Sequence, residues 1–279
     1  MARSLIFVHI ATVLLGFVGI TVQSISADSF TIVAGRGLFE FLAIVAIFIL
    51  QKKSIRLQNK QQYLQLGFLG LLQAFQWLTF FIAIKESTVA IALVSLFTFP
   101  FFTALLEPTI MKEKFRTASI LLSFAIIPGV LLLVPNFSMQ SPELIGIFWG
   151  VISALLVALI FIFSRKWIIY SDALLISFYK SSISMILFLP VFFLTPSVLS
   201  LRDTGLLALL GILFTALPYL LVTIALREIK SAVVTRIISF EPVYGILLAV
   251  FFLSEIPDLQ TLLGAAIILS VALYSSIRS

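Results

Sequence analysis

The chain has 279 residues, of which 61% are hydrophobic and 11% charged, and its mean hydropathy is +1.21. Soluble domains run about 45–50% apolar and about 25% charged, so this chain has too little polar surface to cover a soluble core. The net charge of +6 lies in short segments between apolar runs, which gives nucleic-acid binding no support, and zero cysteines exclude disulfides, thiolate zinc sites and thiol catalysis.

A helix needs about 20 mostly apolar residues to cross about 30 Å of hydrocarbon. On that measure the sequence predicts an all-α integral membrane protein with ten transmembrane helices, at 4–25, 29–50, 62–82, 87–110, 117–135, 143–163, 170–195, 204–225, 231–253 and 258–277. The first run starts basic, is longer than a signal-peptide core and lacks a small-residue cleavage site, so it reads as a retained span. The longest polar stretch runs from Gln51 to Gln62, and the link from Pro135 to Glu143 is too short to separate independent domains. One compact membrane domain in a lipid bilayer is expected.

The chain also repeats itself weakly. Ala83 to Pro100 lies over Ala225 to Pro242 without a gap, at an offset of 142 residues, with Glu86 on Glu228, Ala90 on Ala232 and Pro100 on Pro242. Keeping that offset puts Glu113 on Glu255. The expected halves are 1–136 and 143–279, with five spans each. An odd number per half turns the second copy upside down, and inverted repeats are how many secondary transporters build a site reachable from either side. Counting Lys and Arg gives thirteen on the N-terminal side and two, Lys85 and Arg202, on the other. The positive-inside rule then places both termini in the cytoplasm.

Six charges remain inside spans: Arg36, Lys180, Arg236, Glu40, Glu107 and Glu241. A charge at the bilayer centre costs at least about 2.5–3.5 kcal/mol, so such residues face the bundle interior and mark a pathway or a pair. Arg36 and Lys180 lie near mid-span and read either as a pair of cations facing an anionic solute or as internally neutralised, Arg36 by Glu40 one turn on. Glu241 precedes Pro242, which removes a backbone hydrogen bond and presses on the Ile238 carbonyl. A carboxylate beside such a break holds a proton, an ion or a substrate amine, or simply pairs with Arg236. Pro100 is the repeat partner of Pro242, and both are candidate hinges. Gln73, Gln76 and Trp77 share one face of the third span. Tyr219 is the repeat counterpart of Trp77, and Tyr179 and Tyr244 are further aromatic candidates. No catalytic motif or usual metal site occurs, and no cofactor is expected.

These residues carry a family resemblance. The run from LGFLGLLQAF through KEKFRTASILL resembles one EamA-type repeat of the drug/metabolite transporter superfamily, and LLALLGILF through LLGAAIILSVAL resembles a second. Glu241-Pro242, Glu255, Gly264 and Arg36 fit the pattern, while Lys112 to Lys114 and Glu107 depart from it. The resemblance implies a five-plus-five bundle in a bacterial inner membrane, with a central cavity and alternating access, and protons as a candidate coupling ion. It implies a small-molecule substrate, with an amino acid or derivative moving outward as the first reading. Arg36 or Lys180 would take the anionic group and Glu241 the cationic one. Uptake of S-adenosylmethionine or exchange of a nucleotide sugar is the alternative, and an intramembrane lipid-handling protein or enzyme is the alternative from another class. Oligomeric state is not readable from the chain.

Overall fold

The computed structural model describes residues 2–52, 54–57, 59–114, 124, 126–133, 141–167, 173–194, 199–225, 228 and 231–278. The first half contains α1 (Ala2–Ser24), α2 (Ser29–Gln51), α3 (Lys60–Glu86), α4 (Val89–Leu96), α5 (Phe99–Met111) and α6 (Ile126–Leu132). The second contains α7 (Pro142–Trp167), α8 (Ala173–Phe188), the short α9 (Val191–Leu194) and α10 (Leu201–Ala208). A π-helical segment, Leu209–Ala216, joins α10 to α11 (Leu217–Ala225), and α12 (Ser231–Ile238), α13 (Glu241–Leu253) and α14 (Leu259–Arg278) complete the chain. Among the described residues, seven segments are long and apolar enough to cross a membrane, and Glu241–Leu253 and Leu259–Val271 are shorter apolar helices. Most of the span expected at 117–135 lies outside the described residues.

Side-chain caps start several helices. Asp28 accepts from the Phe30 and Thr31 amides at the head of α2, Asn59 from Gln62 at α3, and Ser200 from Asp203 at α10. Each satisfies amides that the first turn leaves without an intrahelical partner.

The two prolines correct the sequence reading. The spans expected at 87–110 and 231–253 are each two helices, broken at Phe97–Thr98 and at Ser239–Phe240. Pro100 and Pro242 lie in the first turn of the restarted helix, where a missing N–H breaks no helical hydrogen bond. The bent helix pressing on the Ile238 carbonyl is therefore replaced by a turn followed by a proline-started helix. The two breaks share a backbone: Thr98 has φ −77 and ψ −4, and Phe240 has φ −84 and ψ −4. The helices that follow are both 13 residues long and end in left-handed caps, at Lys112 (φ 58, ψ 38) and Ser254 (φ 57, ψ 25). Each of these pairs lies 142 residues apart.

Helix α2 lies against α8, with Gly37 beside Ser184 while Phe41 and Phe48, further on, meet Phe178 at 5.9 and 5.2 Å. Rising numbers on α2 meet falling numbers on α8, so the two run antiparallel. Helix α3 packs on α7, and the π segment with α11 packs on α1. Helix α4 meets α13 where Leu93 fills the space beside Gly245, and α6 meets α14 where Gly129 and Gly264 bring two backbones together.

Polar bonds tie both ends of the bundle. At one end the Ser26 amide donates to Asp203 (3.2 Å), Lys85 donates to the Ile25 carbonyl, and the Val89 amide donates to Glu255 (3.0 Å). At the other, Tyr179 donates to the Ile55 carbonyl (2.7 Å), Lys166 to the Ile110 carbonyl (3.3 Å), and Ser4 to Glu228.

The Glu255 tie is sensitive to pH. Burial pushes its carboxyl above the ordinary 4.5, and the Val89 amide opposes that rise by favouring the charged form. The closed end thus holds the proton more tightly than a hydrated Glu255, so this end loosens as pH rises through the window above 4.5. With two spin-labelled cysteines introduced at this end of the cysteine-free chain, the inter-label distance is expected to lengthen as pH rises. Glu255→Gln should flatten that response. A pH-independent distance in the parent protein would refute it.

Candidate functional site

The site is built around α2, where Arg36 stands between two glycines. A Cβ on Gly35 would lie 2.6 Å from the Leu207 side chain, and one on Gly37 would lie 3.3 Å from the Ser184 hydroxyl. These small residues let α10 and α8 close on α2. From the π segment, Gly211 comes closer still: a Cβ there would lie 2.6 Å from the Arg36 carbonyl oxygen and 2.8 Å from the Glu40 amide. The π turn keeps its own backbone satisfied because Thr215 donates to the Leu210 carbonyl at 2.7 Å. Single π turns inside α-helices recur at functional sites.

Arg36 is fully buried, with 0% of its surface exposed. Its guanidinium lies 4.4 Å from the centroid of the Trp77 ring, a cation–π contact. Nη1 donates to Glu40 at 2.8 Å. Nε and Nη2 have no hydrogen-bond partner among the described residues. Glu40 thus neutralises the charge of Arg36 but uses only one nitrogen of the fork.

A second polar string meets this pair. Lys180 donates to Gln73 (3.1 Å), Gln73 to Gln76 (3.1 Å), and Gln76 to Ser153 of α7 (3.1 Å), which donates back to the Gln76 carbonyl (3.1 Å). Lys180 also faces Glu40 electrostatically. Tyr219 shares a hydrogen bond with Gln73 and lies within electrostatic range of Glu40, Arg36 and Glu241. Four elements, α2, α3, α8 and α11, thus converge on one charged centre. Glu241 is the first residue of α13, where the positive end of the helix dipole favours a carboxylate. Among the described residues it has no hydrogen-bond partner.

Of the residues singled out in the sequence, Arg36, Gln73, Gln76, Trp77, Lys180 and Tyr219 come together, and Glu241 lies within electrostatic range of Tyr219. Tyr244 sets its Cβ against Gly16 of α1. The Arg236 side chain lies outside the described residues. The sequence reading missed Ser153, Ser177 and Gly211. A buried Gln76 demands a polar partner, which signals a hydroxyl on another span, but only the fold says which.

A small space opens beside this centre. Glu40, Ile44, Ile47, Leu174, Ser177 and Tyr219 line a space of about 20 Å³, room for one water and for no metabolite. Tyr219 keeps 37% of its surface accessible.

Comparison with known proteins decides the class. Residues 2–134 and again 144–277 match the model of the EamA-like transporter family. The chain belongs to that family. Over 266 residues it is 26% identical to an uncharacterized transporter of Archaeoglobus fulgidus, covering 94% of this chain and 92% of that one. Over 237 residues it is 27% identical to an uncharacterized transporter of Helicobacter pylori, covering 82% and 79%. Over 211 residues it is 28% identical to an S-adenosylmethionine uptake transporter of Rickettsia conorii, covering 74% and 69%. A protein crystal structure at 16% identity shares the fold, with a TM-score of 0.68 over 98% of this chain and 96% of its own. As an EamA-like transporter the chain is a multi-pass membrane protein, and its buried charged centre is the place to look for the solute.

Proposed function

We propose that this EamA-like transporter carries a small organic metabolite bearing a carboxylate, best an amino acid or a derivative, across a bacterial inner membrane by alternating access. The observation that carries the reading is the buried Arg36 guanidinium, whose Nε and Nη2 lack partners among the described residues. Those two nitrogens form the edge of the fork that takes a carboxylate side-on with two parallel hydrogen bonds. A buried donor left unpaired costs about 1–3 kcal/mol, which a bound anion offsets. Glu241 suits the ammonium end of a zwitterion.

The scaffold we propose is ten spans in two halves, 1–136 and 143–279, with the second inverted. The antiparallel meeting of α2 and α8 supports a two-fold axis in the membrane plane rather than along its normal. The matching breaks before Pro100 and Pro242 support gates at equivalent places in the two halves. The excess of Lys and Arg on one side supports cytoplasmic termini. The space beside Glu40 is about 20 Å³, so a metabolite enters it only when the packing around it opens. Export is the direction the resemblance implies. The relative named an S-adenosylmethionine uptake transporter favours a second reading, uptake of a larger cationic metabolite, which would lean on Glu241.

The test uses purified protein in liposomes, with amino acids, S-adenosylmethionine and nucleotide sugars screened for thermal stabilisation and counterflow. A zwitterionic amino acid is expected to stabilise the protein and exchange. Arg36→Lys should weaken its binding at least about tenfold, because a point charge cannot replace the planar fork. Equal binding by Arg36→Lys and the parent protein would make Arg36 structural and sink the reading. Stabilisation by S-adenosylmethionine alone would select uptake.

A further inference from the structure

We infer that Glu40 is a proton-binding site, and that its proton and the anionic group of the solute are bound together. The coupling half of this inference rests on the reading of Arg36 above; the proton site itself does not. Glu40 is the one described carboxylate bonded to Arg36, and it also forms one wall of the cavity. Ile44 and Ile47 continue that wall along α2, and Leu174 and Ser177 face them from α8. From position 40 to position 47 is about 10 Å of helix, running toward the end of the bundle that carries Ile55 and Lys166. A space of about 20 Å³ admits one water, and the Glu40 carboxylate with the Ser177 and Tyr219 hydroxyls supplies the polar partners that a buried water needs. The space has room for water and is too small for a metabolite.

The charges around Glu40 decide what a proton does there. Arg36 faces it from its own helix and Lys180 from α8. Tyr219 faces it from α11 and lies within electrostatic range of Glu241 of α13. Helix α3 contributes Gln73 and Trp77 to the centre, and the π segment contributes Ala216 to the cavity wall, none of which titrates. With Glu40 ionised, a solute carboxylate on Nε and Nη2 sits beside a like charge, which drives one of the two carboxylates to take a proton. Glu40 is the one with water access. On protonation its carboxylate becomes a carboxylic acid and the ion pair with Nη1 is lost. The solute anion replaces it as the counter-charge of Arg36. By linkage, whatever the proton does for the solute the solute does for the proton. A proton carried alongside the solute makes an acidic exterior drive uptake, so export would proceed only down a solute gradient that outweighs the proton gradient.

The experiment has two arms on the full-length protein. In the first, infrared difference spectra of the solute-free protein are recorded across a pH titration. A protonated-carboxyl band is expected in the parent protein, absent in Glu40→Gln and displaced in frequency in Glu40→Asp. Glu40→Asp serves if Glu40→Gln does not fold. No such band, or one untouched by both substitutions, overturns the proton site. In the second, binding of a radiolabelled L-amino-acid mixture is measured against pH. Affinity should improve by close to about tenfold per unit fall in pH while Glu40 titrates, and stay flat in Glu40→Gln. Flat affinity in the parent protein overturns the coupling. If the parent binds none of the mixture, the amino-acid reading and the coupling drawn from it fail together, while the infrared arm still decides the proton site.

Discussion

Arg36→Ala is expected to destabilise the purified protein more than the double variant Arg36→Ala/Glu40→Gln does. Arg36 and Glu40 form a buried ion pair at 2.8 Å. Removing one partner of such a pair costs about 3–5 kcal/mol, mostly because the other charge stays behind uncompensated. Here Lys180 still faces Glu40, which places the expected loss toward the lower end of that range. Arg36→Ala also forfeits the contact with Trp77, worth about 0.5–2 kcal/mol. Neutralising Glu40 in the same protein removes the stranded charge and returns part of the loss. Thermal unfolding of the two single variants and the double variant gives the coupling directly, expected at about 0.5–3 kcal/mol. Additive effects would mean that the pair is not an energetic unit, and would move the neutralisation of Glu40 to Lys180.

Much of this centre was legible because helical periodicity is local. Arg36 and Glu40 are one turn apart, and Gln73, Gln76 and Trp77 share a face, so the sequence groups each set before any fold is known. What joins the sets is not local. Lys180 reaches Gln73 across 107 residues, and Gln76 reaches Ser153 across 77. Which spans touch depends on how two halves dock, and no spacing encodes that. The same limit holds for Tyr219 and Tyr244. Both are aromatic residues in late spans, yet one borders the charged centre and the other sets its Cβ against Gly16. The prolines were legible as interruptions but not as to kind. A proline tolerated in the first turn of a helix and one that kinks its middle read alike in an apolar run. The π segment left no mark at all: LLGILFTA is an ordinary apolar stretch whose extra residue per turn shows only in the hydrogen bonds.

That segment carries the second large effect. Gly211→Ala is expected to lower the melting temperature sharply and to abolish solute binding, while Gly205→Ala leaves both near the parent value or raises stability. The added Cβ at position 211 would stand 2.6 Å from the Arg36 carbonyl oxygen, 2.7 Å from the Phe39 Cβ and 2.8 Å from the Glu40 amide nitrogen. All three belong to the backbone or to a Cβ, so none can rotate out of the way. Either the π segment or α2 must shift, and overpacking a close-packed contact costs about 1–3 kcal/mol or more. The shift falls on the stretch from Arg36 to Glu40, so it misplaces the guanidinium fork as well as loosening the fold. At Gly205 a Cβ meets nothing within 4 Å. Alanine there only removes the entropic cost of glycine in a helix, about 0.5–1 kcal/mol in favour of folding. Thermal melts read stability, and binding of a solute already shown to stabilise the parent protein reads the site. Equal behaviour of the two alanine variants would mean that α2 tolerates displacement at Arg36, and the close approach of the π segment would then be incidental to the site.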